Sequence, residues 1–369
     1  MNIAFVLLTH NPDEPAGIER SIDALAQGLR DLGHRVLTVA AGPATREDGG
    51  DLLRLTTLDL PRPILVDEVL RLIADPGPVR REVTRLLSEH RVDLVCWVDA
   101  VAGLGYLNPA PPGVRTALMV HFLRTDAPMT ESLGHRPDAV LTVSEYMIEE
   151  AARMGLDSGR WHALPNALPG CAAPPCPAQR EQLRLTGPVR LLSRADPQKG
   201  VAELLRGYPR RGLGRRVQIV LASAAFEFWP GMQETVLEEC GELARGLPEV
   251  ELLPALPWQE VQPFLAGAAA TLIGSVRPET FGNVAAEALS VGTPVVGYDL
   301  GHLSALTEGA GRMVRVEEGP ERLWGRLAGL LGDRHAYHEA ALRGPAQVRG
   351  NTPVAVAEAF LRATAPQPA

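Results

Sequence analysis

The feature that most constrains this chain is an alternation, run through twice, of short apolar runs with amphipathic stretches of helical period. Continuous apolar runs of strand length read as strands buried on both faces, and strands separated by helices pair in parallel through crossover connections. The expectation is an α/β fold built on parallel sheets. The first run covers residues 2–9 and leads through the loop HNPDEPAG into a helix over 18–32, with Ile22, Leu25, Leu29 and Leu32 on one face and Gly33 ending it. Later strands are expected over 34–41, 92–98, 115–120 and 139–143, with 63–90 helical except for a break at the Asp-Pro-Gly-Pro of 75–78. A second series places strands over 188–193, 216–222, 250–253, 269–273 and 294–298, then a last helix over 354–363 and a disordered tail, TAPQPA.

Proline density in LPNALPGCAAPPCP marks the boundary between the two series. A length of 369 residues suits two domains. They are expected over 1–166 and 167–349, with a helix over 350–365 packing back on the first. Two doubly wound, Rossmann-like domains facing across a cleft form the simplest architecture, and ligands of such sheets bind outside the carboxyl ends of the strands.

Charge narrows the partners. A formal net charge of −8 argues against nucleic acid, whose phosphates are bound by clustered cations. The basic run Arg206, Arg210, Arg211, Arg215 and Arg216 reads as a solvated loop, with an anion or membrane patch as the alternative. The N-terminus has no basic n-region, and no run approaches the roughly 20 apolar residues of a membrane span, so a cytoplasmic protein without a transmembrane segment is expected, peripheral membrane contact staying open. Cys96 and Cys240 lie in apolar or helical patterns and read as packing residues. Cys171 and Cys176 share a loop at a spacing that matches no common zinc site, and no metal site is expected.

Among 36 cationic residues the only lysine is Lys199. A compact ammonium and a planar guanidinium are not interchangeable in a crowded anion site. Lys199 lies in Ser193-Arg194-Ala-Asp196-Pro-Gln-Lys199-Gly200, at a strand end, five residues after Arg194. Two cations converging there would neutralise a diphosphate and stabilise it as it leaves; the plainer alternative is two exposed loop cations. A second strand-end segment, Ser275-Val-Arg-Pro-Glu279-Thr-Phe281-Gly282-Asn283-Val-Ala-Ala-Glu287, turns at Gly282 into a helix starting near Asn283. The free amides of such a start form an anion site. Glu287, one turn on, is placed to accept hydrogen bonds from a ribose diol, and Glu279 precedes the turn. The alternative for both glutamates is a solvated surface pair.

Together these segments resemble the nucleotide-binding signature of glycosyltransferase family 4, retaining enzymes of the GT-B fold. The resemblance implies that Arg194 and Lys199 bind the donor diphosphate and that Glu279 and Glu287 grip donor sugar and ribose, with Phe281, Gly282 and Asn283 in the same site. VGTPVVGYDLG further along fits too. AGIERSIDALAQGLRDLGHRV resembles the family's acceptor-domain opening, where Gly17 matches the loop that approaches the donor phosphate. His121 matches a histidine near the donor sugar, with a packing histidine as the alternative. His10 follows the first strand similarly, and VSEYM and LPNALP with Asn166 resemble domain-junction segments. The backbone near Leu256 corresponds to the part that contacts the base. Ser193, Ala167 and Pro254 replace usual glycines, and His302 enters where the family often has a Gly-Gly-x-x-Glu. The donor's base and sugar therefore stay unassigned.

The activity implied is retaining transfer of a sugar from a nucleotide diphosphate donor to an acceptor hydroxyl on a sugar, glycan or natural product. No Asp-x-Asp occurs in the chain, so metal-independent catalysis is expected, with no cofactor beyond the nucleotide-sugar co-substrate. His121 and Glu279 would orient sugar hydroxyls, and the departing phosphate oxygen would take the proton. Alternatives are another GT-B activity, epimerisation or hydrolysis of a nucleotide sugar, and a non-catalytic nucleotide-sugar-binding partner. The arginine bias suggests a GC-rich bacterial genome.

Overall fold

The computed structural model describes residues 1–11, 16–42, 50–72, 74–101, 104–107 and 110–366. Parts of two expected loops (12–15 of HNPDEPAG and 43–49) and the tail end 367–369 lie outside the described residues. Among the described residues the chain runs β1 (Asn2–Thr9), α1 (Gly17–Asp31), β2 (Arg35–Ala41), β3 (Leu52–Arg54), β4 (Ile64–Leu65), α2 (Val66–Leu72) and α3 (Gly77–Glu89). Next come β5 (Leu94–Val98), β6 (Arg115–Val120), α4 (Ala127–Gly134), β7 (Ala139–Thr142), α5 (Glu145–Arg153) and β8 (His162–Ala163). The second series is α6 (Pro177–Thr186), β9 (Val189–Arg194), α7 (Val201–Arg206), β10 (Val217–Ala222), β11 (Phe226–Glu227), α8 (Met232–Arg245), β12 (Val250–Leu253) and α9 (Trp258–Ala266). It closes with β13 (Ala270–Ile273), α10 (Asn283–Ser290), β14 (Val295–Tyr298), α11 (Leu303–Leu306), β15 (Gly311–Val314), α12 (Gly319–Gly332), α13 (Arg334–Gln347) and α14 (Pro353–Ala363).

Two compact units divide the chain. The first ends at Ala167 and takes back the segment from Asn351; the second spans Leu168–Gly350. The first is built on a parallel sheet of order β3-β2-β1-β5-β6-β7-β8. Ile3–Leu8 of β1 are buried throughout, which is why that strand reads as one apolar run rather than an alternation. α1 buries Ile22, Leu25 and Leu29. Its end is a Schellman turn: Gly33 sits at φ 83°, His34 N–H donates to the Leu29 carbonyl (3.0 Å), and Gly33 N–H donates to Arg30 (2.8 Å). α14 lies directly on α1, because a side chain at Gly28 would stand 2.1 Å from the Pro353 carbonyl oxygen. It also brings Phe360 to 5.5 Å from the Phe5 ring, and both rings are fully buried. Removing Phe360 would cost about 3–5 kcal/mol.

The second unit is a parallel sheet of order β12-β10-β9-β13-β14-β15. Leu191, Ile219, Leu272, Val296, Leu323 and Trp324 belong to its core. Two of its polar aromatics donate to backbone: Trp324 Nε1 to the Leu204 carbonyl (2.9 Å) and the Tyr337 hydroxyl to that of Ala269 (2.7 Å). β9 and β13 are neighbours, so the loops leaving their carboxyl ends emerge side by side.

Some expectations need correction. The region expected to be helical from residue 63 opens with β4, and α3 begins inside the expected break, with Pro78 in its first turn, where a missing N–H goes unnoticed. Of the basic run, Arg206, Arg210, Arg211 and Arg216 are exposed, as a solvated run should be, whereas Arg215 is half-buried and donates to the carbonyls of Arg184 (3.1 Å) and Gly187 (3.2 Å). Cys96 and Cys240 are buried, as packing residues should be, while Cys171 and Cys176 are exposed and in no disulfide. Among the described residues no helix is long and apolar enough to cross a membrane, and no His/Cys/Asp/Glu group is arranged to hold a metal ion.

Candidate functional site

β9 ends at Arg194, and the chain turns through a short 3-10 segment, Pro197–Lys199. Asp196, 3% exposed, organises that turn. Its carboxylate accepts the Gln198 N–H at 2.9 Å and an Arg194 Nη2 donor at 3.2 Å. Gly200 then takes φ 63°, and a side chain there would stand 2.2 Å from the Gly274 carbonyl oxygen. No other residue lets the turn come so close to the loop leaving β13. The two loops are joined through Val276 N–H, which donates to the Gln198 carbonyl at 2.9 Å.

Across this junction Lys199 Nζ reaches Glu279 Oε1 at 2.5 Å, and the Ser275 hydroxyl donates to the same oxygen. The side chains of Lys199 and Glu279 are 28% and 17% exposed, and that of Arg194 is 37% exposed. Burial pushes the Glu279 carboxyl upward, but the Lys199 ammonium and its hydrogen bond, the Ser275 hydroxyl and the Arg194 guanidinium outweigh it and hold the group below the usual range. Arg194, Lys199 and Glu279 thus share one electrostatic neighbourhood. An ammonium has three donors, and Glu279 occupies one.

Glu279 is fixed from behind. It bridges to Gly301, whose φ is 65° and where a side chain would stand 2.3 Å from the Glu279 carbonyl oxygen; that oxygen accepts the His302 N–H at 2.8 Å. His302 lies stacked against Phe281, rings 5.9 Å apart at 20°. Burial lowers its pKa, which favours the neutral ring. Gly282, at φ 93°, caps α10, which begins at Asn283.

The structure therefore brings together Arg194, Lys199, Glu279, Phe281, Gly282 and Asn283. Two corrections follow. The cations do not stand free as a pair, since each has a carboxylate partner, Asp196 for Arg194 and Glu279 for Lys199. The Phe281 ring is 2% exposed and packed against His302, so what it can offer a ligand is backbone. The alternative of a solvated glutamate pair fails, because Glu287 on α10 is 1% exposed and Glu279 is largely buried. Leu256 lies half-buried between β12 and α9.

In the other unit, Gly17 is the first residue of α1. His10 follows β1, 5% exposed, with Arg54 donating to its carbonyl at 3.0 Å. Asn166 is buried at the end of that unit. His121 follows β6 and is 3% exposed; burial lowers its pKa to about 4, so the imidazole is neutral near pH 7. Among the described residues its buried Nε2 has no hydrogen-bond partner.

Asp99, at the end of β5, escaped the sequence reading. Its φ is 97°, a conformation that L side chains rarely adopt, and it is 1% exposed. Its carboxylate accepts N–H donors from His121 (3.1 Å), Phe122 (3.0 Å) and Val101 (3.2 Å). Burial drives its pKa up against those three bonds. Asp99 shapes the turn that presents His121. An aspartate closing a strand was the only available signal.

Comparison with known proteins bears on family and fold. The family model described as Glycosyltransferase Family 4 matches residues 15–169, and that described as Glycosyl transferases group 1 matches 189–333. A D-inositol 3-phosphate glycosyltransferase of Nocardia farcinica is 36% identical over 169 residues, which is 44% of this chain but only 35% of that relative's length. Among solved structures, the sucrose-phosphate synthase of Thermosynechococcus elongatus superposes with a TM-score of 0.78 at 17% identity, over 98% of both chains. Anabaena HepE, solved in complex with UDP and glucose, superposes with a TM-score of 0.74 at 16% identity, again over 98% of both chains. At these identities the likeness is one of fold.

Proposed function

Because the chain belongs to the family-4-type glycosyltransferases of GT-B fold, we propose that it moves a sugar from a nucleoside diphosphate donor to an acceptor hydroxyl. The observation that carries this reading is the junction of the β9 and β13 loops, where Lys199 meets Glu279 beside Arg194 and the start of α10. A diphosphate received there has two cations and the opening amides of a helix to offset its charge, and the charge added as the sugar departs is met without a metal ion. Glu279 accepts hydrogen bonds from donor-sugar hydroxyls, Glu287 from the ribose diol, and the backbone near Leu256 meets the base. His121, a neutral imidazole with a free nitrogen, orients the transferred sugar, and Gly17 lets α1 open close to the donor phosphate.

Transfer then runs with retention. The bond from the anomeric carbon to the phosphate oxygen breaks through an oxocarbenium-like state. The acceptor oxygen bonds to that carbon on the face the phosphate leaves, and its proton passes to the departing phosphate oxygen. No protein base is needed, and the barrier falls through positioning and electrostatics. This reading places the protein in the cytoplasm, where it meets its donor.

Incubating the purified chain with UDP-, GDP-, ADP- and dTDP-sugars and a mixed acceptor pool tests the proposal. One donor should release its nucleoside diphosphate only when acceptor is present, giving a product of unchanged anomeric configuration by NMR. Release of free sugar at the same rate without acceptor would make the protein a hydrolase, and inversion would remove the same-face mechanism.

A further inference from the structure

The loop leaving β10 starts beside Arg194. Ala222, its last strand residue, is in register with Arg194, and the Ala222 carbonyl accepts the Ala195 N–H at 2.8 Å. Buried side chains brace this loop from within. The Glu227 carboxylate, 4% exposed, accepts N–H donors from Gly231 (3.2 Å) and Gln233 (3.0 Å). The Gln233 amide, itself buried, donates to the Ala224 carbonyl (3.0 Å) and accepts the Ala224 N–H. On this frame Phe228 and Trp229 stand 42% and 50% exposed, with the Phe226 ring set edge-on to Phe228 at 6.0 Å. Single exposed apolar residues need no explanation, but adjacent aromatic rings held outward on a braced loop form a surface shaped in advance for a ligand.

Charge decides which ligand. Across residues 217–244 there is no lysine, arginine or histidine, while glutamate is exposed at 234, 238 and 242. Such a segment repels phosphates and anionic lipid surfaces, which are recognised by basic clusters. A neutral partner with a flat apolar face fits, and a pyranose ring has that face, rimmed by hydroxyls. We propose that Phe228 and Trp229 form a stacking platform for a neutral carbohydrate, the acceptor glycan of the transfer. This rests on the glycosyl-transfer reading and adds to it the class of acceptor.

The full-length wild type and the Phe228→Ala/Trp229→Ala double variant would be applied to an array of immobilised neutral mono- to tetrasaccharides. Binding of UDP, GDP, ADP and dTDP would be measured separately by calorimetry. Wild type should be retained by at least one neutral glycan, the variant at least tenfold less, and nucleotide affinity should agree within twofold. Wild type retained by no glycan, or both proteins retained equally, overturns the platform. A matching loss of nucleotide affinity in the variant also overturns it, assigning the rings to the donor's base. So does wild-type partitioning onto phosphatidylcholine/phosphatidylglycerol vesicles that the variant loses. Failure of every nucleoside diphosphate to bind wild type would instead mark failure of the underlying transferase reading.

Discussion

Replacing Lys199 by alanine separates two roles that the structure gives this side chain. In the protein alone it removes the ammonium 2.5 Å from Glu279 and leaves a 17%-exposed carboxylate with Ser275 as a donor. Breaking a fully buried pair costs about 3–5 kcal/mol and an exposed one about 0–1, so this half-buried pair should cost about 1–3 kcal/mol. In a unit of this size that lowers Tm by about 3–10 °C. Toward the donor, the loss of one charge-assisted hydrogen bond to phosphate is worth about 1.5–3 kcal/mol, or about 10–150-fold in Kd. Thermal denaturation reads the first effect and calorimetry with the preferred nucleoside diphosphate reads the second. A variant that melts early yet binds that nucleotide within twofold of wild type would refute the reasoning, leaving Lys199 as a brace for Glu279.

Glu279→Gln should separate ground state from turnover. It frees Lys199 and removes a negative charge from the site, so the bare nucleoside diphosphate should bind about fivefold more tightly, roughly 1 kcal/mol at the effective dielectric of such sites, while transfer falls at least a hundredfold; calorimetry and product assay check the two. Asp99→Ala leaves three N–H donors without their acceptor and should destabilise the first unit by about 3 kcal/mol. Asp99→Gly should be milder by about 1 kcal/mol, because glycine adopts φ 97° without strain; urea denaturation ranks them. The His121 pKa of about 4 lies below the 6.5 of an ordinary histidine, so the unfolded chain takes up this proton first. Its contribution is complete above pH 6.5 and is lost as pH falls toward 4, to at most about 3 kcal/mol, and His121→Gln should flatten the stability profile in that window.

The framework was legible because strands covered on both faces carry mostly apolar side chains, as in β1, β5 and β13. Asn2–Thr9 and Val250–Leu253 were placed to the residue. The sheet strands that went unread, β3, β8 and β15, all sit at sheet edges, have two to four residues, and are at most partly covered, so no continuous apolar run announces them. At the site, residue types were readable from spacing within each loop. Pairings were not, because Lys199 and Glu279 are 80 residues apart and their contact depends on β9 and β13 being neighbours. Gly200 and Gly301 matter through close approaches to Gly274 and Glu279 that only the folded chain displays. Asp99 gave no pattern, since neither its positive φ nor its acceptance of the distant His121 and Phe122 amides is encoded locally.

A crystal structure with the preferred nucleoside diphosphate bound tests the central claim most directly. The account predicts diphosphate oxygens within hydrogen-bond distance of Arg194, Lys199 and the first amides of α10. A nucleotide seated away from the junction of the β9 and β13 loops, with Lys199 still held only by Glu279, would contradict it.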